Sequence, residues 1–396
     1  MDIRISPSKL AGDVMAVSSK SYAHRQITAA MLCKNKTEIQ INGLSDDIIC
    51  TLSCVKALGG DYIIDGNKVV IKPLVQRPEK ALLNCGESGT TARIMLPVCA
   101  AVAESAVLTG EGRLPQRPFE DMTRVLREHG CAVSSDRLPI EVSSIIKGGD
   151  FSIPGDVSSQ YITGLMLALP LLEEDSTITL TSPLKSSAYV DITIDVLKDF
   201  GINITKTDVG FKVPSAEYCT PGTTVAEGDW SNAAFWIVAK ALGCEINVCN
   251  LNENSVQGDR KITEILDDVL IDVDPIPDLF PVLSVLAAGR KGKTRLYNAS
   301  RLRLKESDRI EAVSSMLRAL GCEVESGADF LEIYGTGRLA GGVVESYNDH
   351  RIVMSAAVAS VISDGDVIIK GAEAVNKSYP SFFREFERLG GIVNVL

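Results

Sequence analysis

The chain has 396 residues, of which 45% are hydrophobic and 23% charged, a balance typical of folded globular proteins. At about 150 residues per domain, this length predicts two or three domains and excludes a single small module. The 40 Lys and Arg against 51 Asp and Glu give a net charge of −11, which disfavours nonspecific binding to nucleic acid or to anionic membranes. We therefore expect any anionic ligand to be held by a local cluster of basic side chains.

The sequence favours a cytoplasmic protein with reduced thiols. No apolar run approaches the roughly 18 residues that span a bilayer, and the first residues do not have the pattern of a signal or transit peptide. The ten cysteines include no C-x-x-C pair and are accompanied by only three histidines. We expect mostly buried, reduced cysteines and no structural zinc site.

An amphipathic helical pattern that ends in a glycine recurs along the chain, each time followed by a strand-like run. Glycine at this position is typical of a left-handed cap that ends a helix. Successive glycines are 71, 71, 120 and 69 residues apart, at Gly59, Gly130, Gly201, Gly321 and Gly390. The 120-residue gap contains a further helical pattern at 261–266 without the glycine, which predicts a shortened fourth unit.

A second type of helix has nearly the same period and is apolar throughout, so it is predicted to be buried. The fourth and fifth of these helices start 47 residues apart, against 67 to 72 elsewhere, near Ser21, Ser88, Ser159, Ser231, Asp278 and His350. Six units of strands with buried helices predict an α/β fold of two lobes with three units each. A simple solenoid of stacked units is the alternative that the period alone leaves open.

The polar starts of these buried helices are candidate anion sites, because the first N–H groups of a helix are unpaired and the helix dipole favours negative charge there. Basic residues accompany several of the starts, in the segments 19–25, 86–93 and 348–351. The densest basic segment, 301–309, precedes an amphipathic helix. Taken singly, each segment is also explained by solvated charges or an ordinary helix cap; in a repeat, equivalent positions can converge on one cleft.

Two glycine-containing runs match nucleotide-binding patterns only superficially. The run 287–294 follows an apolar helix and precedes a strand, whereas a phosphate loop follows a strand and opens a helix. No helical pattern follows the run 335–340, so a hairpin turn explains it better than a dinucleotide site. We expect neither run to bind a nucleotide.

Seven motifs occur in order between residues 18 and 377. They are Lys20-Ser21 with Arg25, Gly86-x-Ser88-Gly89-Thr90-x-x-Arg93, Arg117-Pro118, Ser158-Ser159-Gln160, Pro277-Asp278, Arg303-x-Lys305-Glu306-Ser307-Asp308-Arg309 and Asn348-Asp349-His350-Arg351. Together they resemble the 5-enolpyruvylshikimate-3-phosphate (EPSP) synthase family, the 3-phosphoshikimate 1-carboxyvinyltransferases. The resemblance implies a mixed α/β (α+β) fold of two lobes, each with three βαβαββ-type repeats and buried helices.

The resemblance also implies how the chain is divided. Residues 19–227 would form the N-terminal lobe, and residues 1–18 together with 228–396 would form the C-terminal lobe, with the active site in the cleft between the lobes. The reaction implied is transfer of the enolpyruvyl group of phosphoenolpyruvate to the 5-hydroxyl of shikimate 3-phosphate through a tetrahedral intermediate. The implied enzyme is a monomer in the cytoplasm that uses no metal or organic cofactor and binds neither nucleic acid nor membranes.

The resemblance assigns residues to both anionic substrates, which require basic subsites. The residues assigned to phosphoenolpyruvate are Lys20, Gly89, Arg93, Arg117, Gln160, Arg309, Arg351 and Lys377. The residues assigned to shikimate 3-phosphate are Lys20, Ser21, Arg25, Ser158, Ser159, Gln160, Ser186, Tyr189, Asp278 and Lys305.

The chemistry requires acid and base groups, because a proton must leave the 5-hydroxyl and another must reach the methylene carbon. We expect Asp278 to act on the hydroxyl and Glu306 to supply the methylene proton. Lys20 is a further acid/base candidate, and the division of roles among the three stays a hypothesis.

One departure from the family pattern and two rival functions bear on this interpretation. Glu87 stands where family members usually have Asn, which by the resemblance places an extra carboxylate close to the phosphoenolpyruvate subsite and bears on its polarity and on the response to glyphosate. The sister enzyme acting on UDP-N-acetylglucosamine usually carries a cysteine at the position of Gly112. A non-catalytic binding protein for phosphorylated sugars is disfavoured by Asp278 and Glu306, since carboxylates in a cationic cleft are costly without a role.

Overall fold

The computed structural model describes residues 1–396, which form eleven α-helices and twenty-two β-strands. The helices are α1 (Lys20–Met31), α2 (Asp46–Ala57), α3 (Gly89–Val102), α4 (Glu120–Glu128), α5 (Ser159–Ala168), α6 (Ser187–Asp199), α7 (Trp230–Ala241), α8 (Phe280–Ala288), α9 (Arg309–Ala319), α10 (His350–Ala359) and α11 (Phe382–Arg388). The strands are β1 (Ile3–Ser6), β2 (Ala11–Met15), β3 (Thr37–Gln40), β4 (Asp61–Asp65), β5 (Lys68–Lys72), β6 (Ala81–Asn84), β7 (Ser105–Thr109), β8 (Ala132–Val133), β9 (Ile140–Ser143), β10 (Asp150–Ile153), β11 (Ser176–Leu180), β12 (Thr205–Thr207), β13 (Gly210–Val213), β14 (Thr223–Val225), β15 (Glu245–Cys249), β16 (Leu270–Asp272), β17 (Lys291–Tyr297), β18 (Glu323–Ser326), β19 (Leu331–Thr336), β20 (Gly342–Glu345), β21 (Val367–Lys370) and β22 (Ile392–Val395).

The chain divides into two compact units. The N-terminal unit comprises Ser18–Asn42 and Asp46–Ala226, and the C-terminal unit comprises Met1–Val17, Gly43–Ser45 and Glu227–Leu396. The first strand of the chain, β1, pairs with β21 and β22 and so belongs to the sheet that the end of the chain forms.

The N-terminal unit contains three four-stranded sheets with one shared pattern. Their strand orders are β14-β3-β5-β4, β6-β7-β9-β8 and β10-β11-β13-β12. In each sheet the first two strands are parallel and the remaining neighbours are antiparallel. The repeat inferred from the glycine spacing is therefore a repeat of sheet topology.

The C-terminal unit has the same pattern in two sheets, β16-β17-β19-β18 and β20-β21-β1-β22. Its third sheet consists only of the parallel pair β15-β2. The strand β15 is followed by a 3₁₀ helix, Gly258–Thr263, which overlaps only the first half of the helix predicted at 261–266. The shortened fourth unit is thus confirmed, and its second helix is a 3₁₀ segment of six residues, a geometry that proteins use in short pieces.

The apolar helices are buried as predicted. Helices α8 and α10 are buried along their whole length, and α3 is buried except at Thr90, Ala101 and Val102 near its ends. The glycines that end the amphipathic helices have φ of 97°, 92°, 82°, 84° and 101° at Gly59, Gly130, Gly201, Gly321 and Gly390. These left-handed conformations confirm the predicted caps, and they turn the chain from each amphipathic helix into its next strand.

The expected hairpin at 335–340 is wrong. Strand β19 ends at Thr336 and belongs to the sheet of β17 and β18, whereas β20 begins at Gly342 and pairs with β21. The segment between them therefore crosses from one sheet to another. Local glycine content predicts a turn, but the partner of the following strand depends on tertiary packing.

The ten cysteines are all free, and seven of them are buried, as expected from their apolar surroundings. None of the helices combines the length and apolarity needed to cross a bilayer.

Candidate active site

The starts of two buried helices in the N-terminal unit are capped by serine. The Ser88 hydroxyl accepts a hydrogen bond from the Thr91 amide at 3.2 Å, and the Ser158 hydroxyl accepts one from the Gln160 amide at 3.3 Å. Each cap satisfies one of the unpaired amides of the first turn. The caps fix where α3 and α5 begin, and both helices carry predicted site residues in their first turns.

Arg93 lies on α3 in an aromatic and amide setting. Its guanidinium carbon is 5.6 Å from the ring centre of Phe119 and 5.4 Å from that of Tyr161, within the range of cation–π attraction. Its Nη1 donates to Gln160 Oε1 at 2.9 Å, and Gln160 Nε2 in turn donates to Thr90 Oγ1 at 2.7 Å. Two predicted site residues, Arg93 and Gln160, are thus joined directly between α3 and α5.

The close approach of α3 and α5 depends on Gly164. A Cβ atom at this position would lie 2.7 Å from the Arg93 carbonyl oxygen and 2.7 Å from Pro97 Cγ. Only a residue without a side chain lets the two helices pack at this distance. The pairing of Arg93 with Gln160 therefore rests on a glycine one turn below it.

Arg117 packs its guanidinium against the first residue of α3. A Cβ atom at Gly89 would lie 2.4 Å from Arg117 Nη1. Glu87, the residue that departs from the family pattern, lies two positions before Gly89. Its carboxyl group packs against Gly112, where an added Cβ atom would lie 2.6 Å from the carboxyl carbon. Gly89 is thus required for Arg117 to adopt this position.

Arg25 is 1% exposed and has neutral hydrogen-bond partners. Its Nε donates to Thr193 Oγ1 at 2.7 Å, its Nη1 to the Ser21 carbonyl at 2.7 Å, and its Nη2 to Thr163 Oγ1 at 3.1 Å and to the Tyr189 carbonyl at 2.9 Å. Burial lowers the pKa of Arg25 to about 10, so the group is still positively charged at neutral pH. A buried guanidinium held by neutral acceptors retains a net charge that an anion can neutralise.

Lys20, the first residue of α1, forms an ion pair with Asp47 at 2.6 Å. Asp47 lies in the acidic first turn of α2.

Ser186 precedes α6 with φ of 52°, a left-handed conformation that is uncommon for a residue other than glycine. Ser186 and Ser159 are 5% and 6% exposed, so each of these serines is buried.

In the C-terminal unit, Arg309 is the centre of an ionic network. It is the first residue of α9 and is 1% exposed. Its Nε donates to Asp349 Oδ2 at 3.0 Å, its Nη1 to Asp278 Oδ1 at 2.8 Å and its Nη2 to Glu306 Oε2 at 2.8 Å. One guanidinium therefore orients both predicted acid/base carboxylates together with a third, Asp349.

Asp278, two residues before α8, contacts three cations. Besides Arg309, its Oδ2 accepts from Arg351 Nη2 at 2.9 Å, and Lys305 Nζ lies 3.7 Å from its Oδ1. Burial works against ionisation of this carboxyl, but Arg351, Lys305 and Arg309 outweigh it and hold its pKa well below the usual range. Asp278 is thus ionised at neutral pH.

Asp349 anchors the start of α10. Its Oδ1 accepts from the Arg351 amide at 3.0 Å as the helix cap, and its Oδ2 accepts from the Ser307 hydroxyl at 2.9 Å. Just before it, Asn348 has φ of 56°, and its carbonyl accepts from Lys377 Nζ at 2.8 Å. This arrangement ties Lys377 to the same helix start as Arg351.

The structure joins predicted residues within each unit. In the C-terminal unit, five belong to one connected network: Asp278, Lys305, Glu306, Arg309 and Arg351. In the N-terminal unit, Arg93 contacts Gln160, and Arg25 contacts the backbone of Ser21 and Tyr189.

The sequence interpretation missed four polar residues that hold the predicted ones in place. Asp47 pairs with Lys20, Thr193 accepts from Arg25, Ser231 accepts from Arg351 at 3.0 Å, and Asp349 accepts from Arg309. Three of them carry a signal in the sequence that was not connected to the site: Asp349 belongs to the motif 348–351, Ser231 marks a helix start, and Asp47 lies in an acidic first helical turn. Thr193 lies in the middle of α6, where nothing in the local pattern marks it.

Comparison with known proteins finds the family that the motifs resemble, over nearly the whole chain. The family model for EPSP synthase (3-phosphoshikimate 1-carboxyvinyltransferase) matches residues 5–271 and 268–386. A 3-phosphoshikimate 1-carboxyvinyltransferase of Clostridium acetobutylicum is 39% identical over 99% of this chain and 98% of its own length. One of Clostridium perfringens is 37% identical over 98% of each chain.

Solved structures show the same fold. A solved structure of EPSP synthase from Acinetobacter baumannii matches with a TM-score of 0.82 and 25% sequence identity, covering 100% of both chains. The mixed α/β fold of repeated units expected from the sequence is therefore confirmed.

Proposed function

The chain belongs to the EPSP synthase family, and from this membership and the two ionic arrangements we propose which residues carry each step of the reaction. The enzyme is a 3-phosphoshikimate 1-carboxyvinyltransferase of the shikimate pathway, which leads to chorismate and the aromatic amino acids. It transfers the enolpyruvyl group of phosphoenolpyruvate to the 5-hydroxyl of shikimate 3-phosphate and releases phosphate, by addition and elimination through a tetrahedral intermediate. Family membership also disfavours the acceptor UDP-N-acetylglucosamine and a purely binding role.

In this proposal, basic residues of both units bind phosphoenolpyruvate. Arg117 against Gly89 and Arg93 against Gln160 supply cations from the N-terminal unit. Arg309, Arg351 and Lys377 supply them from the C-terminal unit, and Lys20 completes the set. Guanidinium groups suit this ligand because they donate two parallel hydrogen bonds to a carboxylate or a phosphate. The reaction then requires both units of the chain.

Shikimate 3-phosphate is proposed to bind residues whose surroundings leave positive charge or hydroxyl groups for it. Arg25 is the main support for this assignment in the N-terminal unit, because it is buried with neutral acceptors. The hydroxyl and amide groups proposed to accompany it are those of Ser21, Ser158, Ser159, Gln160, Ser186 and Tyr189. Lys20, Lys305 and Asp278 complete the assignment.

The observation that carries the acid/base proposal is the position of Asp278 among Arg309, Arg351 and Lys305. These cations keep its carboxyl ionised and ready to accept the proton of the 5-hydroxyl. Substrate anions at the same cations weaken their hold on Asp278 and so raise its basicity during the reaction.

Glu306, whose Oε2 accepts from Arg309, is proposed to add a proton to the methylene carbon and to take one back as phosphate leaves. Its side chain is 26% exposed, which lets it exchange its proton with solvent between steps. Lys20 stays a candidate for one of these proton-transfer steps.

The variants Asp278→Asn and Glu306→Gln test these roles by phosphate release from phosphoenolpyruvate and shikimate 3-phosphate. We expect turnover to fall on the order of 10²- to 10⁴-fold, with KM values changed only a few-fold, because proton transfer is lost while the shape is kept. The control Glu311→Gln removes an exposed carboxylate from the same helix α9 and should leave turnover unchanged. A variant with near-normal turnover would lose its place in the mechanism, and release with UDP-N-acetylglucosamine alone would contradict the assigned acceptor.

We further propose a monomeric enzyme that works in the cytoplasm, with residues 19–227 in one lobe and residues 1–18 with 228–396 in the other. Sedimentation velocity tests the monomer, and a dimer at micromolar concentration would contradict it.

A further inference from the structure

The buried carboxyl group of Asp259, which is not among the proposed site residues, interacts electrostatically with Asp278. Asp259 belongs to the 3₁₀ helix Gly258–Thr263, which packs against α7, and only 6% of the residue is exposed. Its Oδ1 is buried and has no hydrogen-bond partner. Burying a charged carboxylate without partners is energetically unfavourable, so we expect this carboxyl group to be neutral or to have a functional role.

Charged groups from four elements act on Asp259. They are Asp229 at the start of α7, Asp278 before α8, Lys305 before α9 and Arg351 in the first turn of α10. Arg351 and Lys305 are the same cations that lie 2.9 Å and 3.7 Å from the Asp278 oxygens. Asp259 and Asp278 therefore compete for one pair of cations.

This competition shifts the pKa values of the two carboxyl groups in opposite directions. Burial, and then repulsion by Asp278, raises the pKa of Asp259 to about 8, with Arg351 opposing this and Asp229 adding to it. The pKa of Asp278 is instead held well below its usual range. Neighbouring carboxyl groups whose pKa values are pushed apart are typical of acid/base sites, where one group stays neutral so that the other can stay charged.

A purely structural role does not account for Asp259. The start of α7 is fixed by Asp229, whose Oδ1 accepts from the Asn232 amide at 2.9 Å, and by Gln257, whose Oε1 accepts from the Trp230 amide at 3.1 Å. Its Nε2 donates to Glu227 Oε1 at 2.7 Å and to the Gly228 carbonyl at 2.8 Å. The bracing of this helix start is thus complete two residues before Asp259.

We propose that Asp259 is a positioning residue for the cations of the site. In its protonated form it does not compete for Arg351 and Lys305, so these cations interact with Asp278 and with the substrate anions. Ionisation of Asp259 at alkaline pH then inhibits the enzyme. The inference rests on the site roles proposed above for Asp278, Arg351 and Lys305. When Asp259 loses its proton to solvent, the site gains one negative charge beside the two cations. That charge weakens their attraction for anionic substrates and disturbs the orientation of Asp278.

The kinetic test compares wild type with Asp259→Asn, which has the same shape and is permanently neutral, between pH 6 and pH 10. For wild type we expect kcat/KM to fall about tenfold from pH 7 to pH 9, since a group that titrates near 8 is about nine-tenths ionised one unit higher. For Asp259→Asn we expect activity at pH 7 within a few-fold of wild type and the alkaline decline moved up by at least one pH unit. The control Asp267→Asn, a fully exposed carboxylate in the same part of the chain, should keep the wild-type profile.

Identical alkaline declines in wild type and Asp259→Asn would overturn the proposal. A second measurement does not depend on turnover or on folding of the variant at every pH: the carboxyl ¹³C resonance of Asp259 in aspartate-labelled wild type, assigned by its absence from Asp259→Asn or Asp259→Ala. We expect this resonance to titrate near pH 8, and titration near pH 4 would overturn the proposal. If no phosphate is released at any pH, the proposed roles fail while the resonance still decides the state of Asp259.

Discussion

Replacing Asp349 with Asn removes one carboxylate from the ionic network around Arg309. Asp349 is fully buried, and its two oxygens accept from Arg309 Nε, the Ser307 hydroxyl and the Arg351 amide at 2.9 to 3.0 Å. Asn keeps a single acceptor oxygen and turns two amide hydrogens toward groups that are themselves donors. At least one hydrogen bond is lost, and a buried guanidinium loses part of its compensating charge.

The expected loss of stability is large for a single atom exchange. Breaking a buried ion pair by removing one partner costs about 3–5 kcal/mol, and a hydrogen bond to a charged group contributes about 1.5–3 kcal/mol. Because the Asn oxygen retains part of the cap, we expect a decrease in the free energy of unfolding of about 3 kcal/mol. That is a substantial part of the roughly 5–15 kcal/mol that stabilise a typical domain.

The effect has a defined dependence on pH. Burial opposes ionisation of Asp349, but Arg309 holds its pKa below the usual range. A carboxyl whose pKa is lower in the folded state contributes stability above its unfolded pKa of about 3.9, and this contribution is lost as the pH falls through the folded value. The difference between wild type and Asp349→Asn should therefore be full above about pH 5 and shrink below about pH 4.

Urea denaturation followed by tryptophan fluorescence measures this difference, because the two tryptophans, Trp230 and Trp236, both lie in the C-terminal unit with Asp349. The matched control is Asp364→Asn in the same unit. Asp364 pairs with Arg338 at 2.8 Å, but the two side chains are 64% and 72% exposed, and such pairs contribute about 0–1 kcal/mol. Equal losses in the two variants, or a difference that grows in acid, would refute the assignment of Asp349 as a buried charged partner.

Three further substitutions test the N-terminal unit. Gly89→Ala places a Cβ atom 2.4 Å from the present position of Arg117 Nη1, so we expect KM for phosphoenolpyruvate to rise at least tenfold while KM for shikimate 3-phosphate changes little in steady-state assays. Gly164→Ala brings a Cβ atom to 2.7 Å from the backbone of α3; overpacking of this kind costs about 1–3 kcal/mol, measurable as a lower Tm, and an unchanged Tm would show that the helices separate freely. Thr193→Val removes the acceptor of Arg25 Nε, and calorimetry should show weaker binding of shikimate 3-phosphate with binding of phosphoenolpyruvate maintained; equal losses for both ligands would contradict the assignment of Arg25.

Much of the fold was predictable because its signals are local. A glycine that ends an amphipathic helix needs only its own backbone conformation, and an apolar helix of ten or more residues can only be buried. These two patterns gave the period and the shortened fourth unit. The crossing at 335–340 was mispredicted because the choice of partner strand is made by packing between segments far apart in the chain.

The candidate site was predictable in its residue types and not in its pairings. Motif order pointed to Arg309, Asp278 and Glu306, and the structure joins all three. Nothing local indicated that Asp349, 40 residues further on, completes the set of carboxylates around Arg309. Nor did the sequence single out Asp259, whose environment is created by four separate elements.

The sequence by itself determined the repeated units, the buried helices, the caps and the family, because hydrophobic periodicity and motif spacing are written along the chain. Only the tertiary structure decided which charges neutralise each other and which carboxyl pKa values are raised or lowered. The physical reason is that electrostatic energy and the cost of burial depend on distances between side chains and on their access to water, and both are set when distant helix starts are brought together.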